Sequence, residues 1–171
     1  MEQRDDDKDI LVRIQKGDHS AMAELISRYK SNLYSYLYRT VGQDCDDLFQ
    51  ETWIKVWENT PRFDIKRAFR PWLFTIASNL CKDYWRKKQT IYKYEKQKEE
   101  SPGSTMKADP MDIKKALAEL SAEQRNTLML RYYEGFTETE IAGIMRCPQG
   151  TVKTRVFQAI RKLREVFKDN G

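Results

Sequence analysis

Residues 136–167 read FTETEIAGIMRCPQGTVKTRVFQAIRKLREVF, and this stretch decides the fold class. Thr137 and Glu140 stand in the Thr-x-x-Glu pattern of a capping box, flanked by Phe136 and Ile141 at the two positions of a hydrophobic staple. The pattern predicts a helix from Glu138 to Met145. A tight turn follows at Arg146-Cys147, and Pro148 suits the first turn of a second helix. On that second helix Val152, Val156, Ala159, Ile160, Leu163 and Phe167 recur at helical spacing and form the predicted core side. The other side carries Gly150, Thr154, Phe157, Gln158 and Arg161, flanked by Lys153, Arg155 and Arg164.

Charge is segregated along this region. From Arg146 to Lys168 there are seven basic residues and one acid, whereas Asp112 to Met145 holds four basic residues and six acids. The positive charge therefore sits on the second helix. A short helix, a tight turn and a longer basic helix fit a DNA major groove. Lys and Arg suit phosphates there, and Gln, Thr, Arg or apolar groups suit base edges. The competing reading is a helical hairpin with a solvated basic face. An exposed aromatic at Phe157 favours the DNA reading, because such groups usually have a partner.

Working outward, the apolar spacing is three to four residues almost throughout and strand-like alternation is absent, so an all-α chain is expected. The sharpest change in composition lies between Gln89 and Pro110, QTIYKYEKQKEESPGSTMKADP, which reads as a flexible polar linker. It lacks apolar periodicity, so the units on either side are expected not to hold one orientation. The predicted organisation is an acidic tail over 1–9, a helical domain over 10–90, a linker over 91–110 and the helix-turn-helix domain over 111–171.

Two helices stand out before the linker. DDLFQETWIKVWE (residues 46–58) turns Leu48, Phe49, Trp53, Val56 and Trp57 to a core side. Asp47, Gln50, Glu51 and Ile54 fall on the other, which suits either a docking face or plain solvation. FRPWLFTIASNLCKDYWRKK (residues 69–88) places Trp72, Leu73, Ile76, Leu80 and Tyr84 on a core side, and aligns Thr75, Asn79, Lys82 and Arg86 elsewhere. A polar stripe ending in Arg86-Lys87-Lys88 suits a nucleic-acid backbone, although basic residues at a helix end also complement its dipole. The preceding loop carries Arg62, Phe63, Lys66 and Arg67, a mixture suited to unpaired bases.

Bulk properties narrow the function. Net charge is +5, which favours polyanionic partners. No apolar run approaches the ~20 residues a bilayer requires, and the N-terminus has no apolar signal segment, so a cytoplasmic chain without membrane insertion is expected. Cys45, Cys81 and Cys147 are far apart and His19 is the sole histidine. Buried free thiols are expected rather than a disulfide framework or a metal site. No phosphate loop or nucleophile–base constellation points to an enzyme, and no cofactor is expected.

Three stretches together resemble the extracytoplasmic-function (ECF) sigma factors of bacteria. DDLFQETWIKVW resembles the family's core-polymerase-binding helix. FRPWLFTIASNLCKDYWRKK resembles its −10-element helix. LSAEQRNTLMLRYYEGFTETEIAGIM with PQGTVKTRVFQAIRKLRE resembles its −35-reading domain. The resemblance implies a sigma factor without catalytic or metal-binding residues, whose partners are core RNA polymerase (clamp helices and flap), promoter DNA and an anti-sigma factor. It makes residues 10–90 sigma region 2 and 111–171 sigma region 4. Asp47, Gln50, Glu51 and Ile54 would face the clamp helices. Arg62, Phe63, Lys66 and Arg67 would surround a flipped −10 base, with Asn79, Lys82 and Arg86 on the nearby strand. Thr151, Lys153, Thr154, Phe157 and Gln158 would read the −35 element, with Arg155 and Arg161 on phosphates. Gln149, Gln158 and Ile160 depart from the residues common in the family, which bears on the preferred −35 sequence and not on the role. The alternative is a stand-alone helix-turn-helix regulator.

Overall fold

A computed structural model describes residues 2–98, 116–117 and 119–169, and among them there is no strand. Helix α1 spans Glu2–Gln15, so the described part of the acidic tail belongs to a helix. The reason lies at Asp7, which is buried and accepts hydrogen bonds from the Arg28 guanidinium and the Tyr29 hydroxyl. A carboxylate is tolerated inside only when so partnered. Ile10, Leu11 and Ile14 follow it into the core.

Helix α2 (Met22–Val41) buries Leu25, Tyr29, Leu33, Tyr36, Leu37 and Thr40 along one stripe. It ends where Gly42 takes a positive φ of 77°, a conformation that costs glycine nothing. Helix α3 (Cys45–Asn59) turns Leu48, Thr52, Trp53 and Val56 inward. Trp57, assigned to the core by spacing, is 42% exposed and instead lies against the His19 ring at 5.0 Å. The loop after α3 is tied to α1: the Gln15 side-chain amide donates to the carbonyls of Thr60 (3.0 Å) and Phe63 (2.8 Å).

Helix α4 (Phe69–Lys98) is longer than composition suggested and takes in the first part of the supposed linker. No glycine or proline lies between Trp72 and Lys98, and the Lys, Gln and Glu there are good helix formers, so nothing stops the helix at Gln89. Residues 99–110 of that stretch lie outside the described residues.

The C-terminal domain begins with α5 (Ala122–Leu128), capped by a Ser121–Gln124 capping box and continued by one wide π turn over Met129–Tyr133. The expected capping box at Thr137 and Glu140 opens α6 (Glu138–Met145). Arg146 then adopts the left-handed conformation, φ 51°, and α7 (Gln149–Asp169) follows. Val152 and Ala159 on α7 are fully buried and Val156, Ile160 and Leu163 partly so. Burial fades over the last turns, leaving Phe167 39% exposed, contrary to its core assignment.

The two domains pack together, which corrects the expectation that they hold no fixed orientation. One continuous apolar core runs from Ile10 to Ala159. Helix α4 contacts α2 and α3 within its own domain and α5 and α6 across the boundary. Phe74 of α4 meets Phe136 edge to face at 5.3 Å. The absence of apolar periodicity in the linker carried no information on this, because the contacts are made by the domains themselves.

Candidate nucleic-acid interface

Three polar strips deserve comparison, one on each of α3, α4 and α7. On α3, Asp47, Gln50, Glu51 and Ile54 are all exposed, and Ile54 is 56% accessible among acids. Core residues on the opposite side dictate this: Leu48, Trp53 and Val56 cannot face inward without turning these four outward.

On α7, Lys153, Thr154, Phe157, Gln158 and Arg161 are exposed, while Thr151 and Arg155 are half-buried. Phe157 is 67% accessible. Gln158 accepts from the Gln124 amide at 3.3 Å, Lys153 lies 3.8 Å from Glu138, and Arg161 lies 3.7 Å from Glu165. These exposed pairs are weak and readily exchanged for phosphate. Arg155 sits 3.6 Å from the Cys147 sulfur. Cys147 is half-buried and Cys45 and Cys81 are buried; all three are free thiols, and burial pushes Cys81 up to about 12.

The strip on α4 differs. Arg86 is exposed and pairs with Asp83 at 3.2 Å. Asn79 and Lys82 are half-buried, and the Lys82 ammonium donates to the Met145 carbonyl at the end of α6, 3.2 Å away. Burial lowers the Lys82 ammonium below the ordinary lysine range. In the neighbouring loop Arg62, Lys66 and Arg67 are exposed. Phe63, expected to meet an unpaired base, is not available: it is buried, with its ring 4.5 Å from Trp72 and 6.1 Å from Phe69. An aromatic beside two others is held more firmly by that cluster than by a base that comes and goes. A cleft of about 360 Å³ adjoins this loop, lined by Lys66, Arg67, Ala68 and Arg70, by Asp7 and Tyr29 beneath, and by Phe136 and Glu140 from the C-terminal domain.

Residues that sequence reasoning passed over join the domains. Asn126 donates to the Ser78 hydroxyl (2.8 Å) and accepts from the Tyr36 hydroxyl. Arg125 donates to the Thr40 carbonyl (3.3 Å) and lies 4.2 Å above the Trp85 ring. Arg70 bonds the Glu134 carboxylate at 3.1 Å and covers the Phe136 ring at 4.0 Å. Burial raises the Glu134 carboxyl, and Arg70 opposes that shift. A polar run such as Arg125-Asn126-Thr127 reads as surface in a sequence, so only the missing apolar alternative could have flagged it.

A helix-turn-helix with an open basic face, joined to a second helical domain with its own basic strip, defines a two-domain DNA-recognition factor. The family model for Sigma-70 region 2 matches residues 25–91, and that for Sigma-70 region 4 matches residues 111–163. The ECF RNA polymerase sigma factor SigW of Bacillus subtilis is 31% identical, over 93% of this chain and 95% of its own length. The sigma factor RpoE of Bartonella quintana, solved with the anti-sigma factor NepR, is 28% identical with a TM-score of 0.69, covering 85% of this chain and 96% of that one. CnrH, solved with the cytosolic domain of CnrY, is similar in fold, with 22% identity, a TM-score of 0.72 and coverage of 96% and 99%. The chain belongs to the ECF group of RNA polymerase sigma factors. As an alternative sigma factor it binds RNA polymerase and promoter DNA in transcription initiation, and the stand-alone regulator is not favoured. No helix among the described residues is long and apolar enough to cross a membrane.

Proposed function

We propose that this sigma factor divides promoter recognition between its domains: residues 10–90 dock on core polymerase and engage the −10 strand, and residues 111–171 read the −35 duplex. The outward strip on α3 carries the docking part. Its Ile54 is exposed among Asp47, Gln50 and Glu51 although the fold makes no use of it. Such a mixed strip fits the clamp helices of the largest subunit. Arg62, Lys66, Arg67, Asn79, Lys82 and Arg86 serve the −10 strand. Thr151, Lys153, Thr154, Phe157 and Gln158 serve −35 base edges, with Arg155 and Arg161 on phosphates. The protein supplies recognition and no bond chemistry, since phosphodiester formation is the polymerase's reaction. It acts in the cytoplasm, where the polymerase is, and an anti-sigma factor is its natural restraint, as the complexes of its structural neighbours suggest.

The test is co-purification of folded variants with core polymerase. Gln50→Ala with Glu51→Lys should keep the helical circular dichroism and lower core affinity by about tenfold or more, equivalent to roughly 1.4 kcal/mol. Undiminished co-purification of the folded double variant removes the docking assignment.

A further inference from the structure

We infer that Gln124 sets which base Gln158 reads, by fixing the direction in which the Gln158 amide faces the groove. The inference rests on the −35 reading of Gln158 proposed above. Gln124 stands at the third helical position of the capping box that opens α5. Its Oε1 accepts from the Ser121 backbone N–H at 3.1 Å, and its own backbone N–H donates to the Ser121 hydroxyl at 3.1 Å. A backbone N–H can only donate, so the Gln124 oxygen is committed to the cap and its Nε2 points the other way. That Nε2 donates to Gln158 Oε1 on α7 at 3.3 Å. Two amides do not meet nitrogen to nitrogen, because each would offer hydrogen to hydrogen. The Gln158 oxygen is therefore held on the α5 side, and its Nε2 is left for the base.

The spacing of the pair is fixed by the helices that carry it. Helices α5 and α7 pack directly on one another, with Val152 and Ala159 of α7 fully buried. One turn beyond Gln158 the Lys162 ammonium donates to the Glu119 carbonyl at 3.3 Å, just before α5. Gln158 is exposed and Gln124 half-buried. In water such a bond is weak. Against base edges, where docking expels water, it decides between the two ends of one side chain. An unrestrained glutamine presents either end and pairs with adenine through both. A glutamine held nitrogen-outward suits a base whose major-groove edge only accepts, guanine through N7 and O6 or thymine through O4. It opposes cytosine, whose amino group only donates.

The experiment uses core polymerase loaded with the full chain. Transcription is measured from promoters carrying each base pair in turn at the −35 position that Gln158→Ala relaxes. Gln124→Glu keeps the capping box, since one carboxylate oxygen still accepts from Ser121. Its other oxygen accepts where the amide donated, so the Gln158 Nε2 turns inward and its Oε1 outward. The wild-type order of G·C against C·G should then reverse, by about fivefold or more. The added charge weakens every promoter alike and leaves the order untouched. Gln124→Met offers neither donor nor acceptor and should level the two pairs. Combining Gln124→Glu with Gln158→Ala should abolish the reversal, because Gln124 acts only through Gln158. Circular dichroism checks that each variant folds. An unchanged order in either folded Gln124 variant overturns the inference, as does a reversal that persists without Gln158. If Gln158→Ala relaxes no pair, the −35 assignment of Gln158 fails and the inference falls with it.

Discussion

Helices α4 and α7 carry the same kind of signal, a polar and basic stripe opposite an apolar one, yet the stripes meet different surroundings. The stripe on α7 faces solvent because that helix packs on α5 and α6 with one side only. Helix α4 is wedged between α2 and α3 on one flank and α5 and α6 on the other, so Lys82 of its stripe is drawn into a contact while Arg86 stays exposed. A duplex-reading surface can stand ready, because duplex DNA is always available and non-specific binding is weak at physiological salt.

The largest effect that would sharpen this contrast comes from two phenylalanines of opposite fate. Phe136 is 1% exposed and links the domains, while Phe157 is 67% exposed on α7. Phe136→Ala should cost about 3–5 kcal/mol in chemical denaturation. Phe157→Ala should change stability by no more than about 0.5 kcal/mol and yet weaken transcription from −35-dependent promoters. Equal stability losses for the two would break the distinction between covered and open faces.

Next in size is readout on the open face. Gln158→Ala should relax discrimination at one −35 base pair by about 1–3 kcal/mol, whereas Arg161→Ala should weaken all promoters alike and lower the salt slope by about one unit. Transcription across a −35 promoter series separates them, and an unchanged base preference in the Gln158 variant removes it as a reader.

The smallest effect concerns the turn that aims α7. Arg146 is exposed and left-handed, a conformation strained for an L-residue. Arg146→Gly should raise stability by about 0.5–1 kcal/mol, read as a shift in denaturation midpoint. A loss of stability would show that the arginine side chain makes a contact outweighing the strain.

The capping box at Thr137 and Glu140, the break at Arg146 and the outward strips on α3 and α7 were legible because each depends on neighbours within a turn or two of helix. A second capping box at Ser121 and Gln124 has the same signature and was readable on the same grounds. Phe63 was misplaced because a loop aromatic looks alike whether it awaits a base or packs on Trp72, nine residues ahead. The burial of Asp7 was not legible for a similar reason: nothing near it in sequence announces Arg28 and Tyr29.

By itself, then, the sequence determined the helices, the caps, the family and the faces that local packing turns outward, since these follow from periodicity and short-range hydrogen bonding. Tertiary structure alone decided that the two domains close on one another, that Asn126 meets Ser78 and Tyr36, and that Lys82 meets Met145. Those contacts join residues 48 to 90 positions apart. Whether a polar side chain is solvated or buried depends on what arrives from that distance, and no local pattern encodes it.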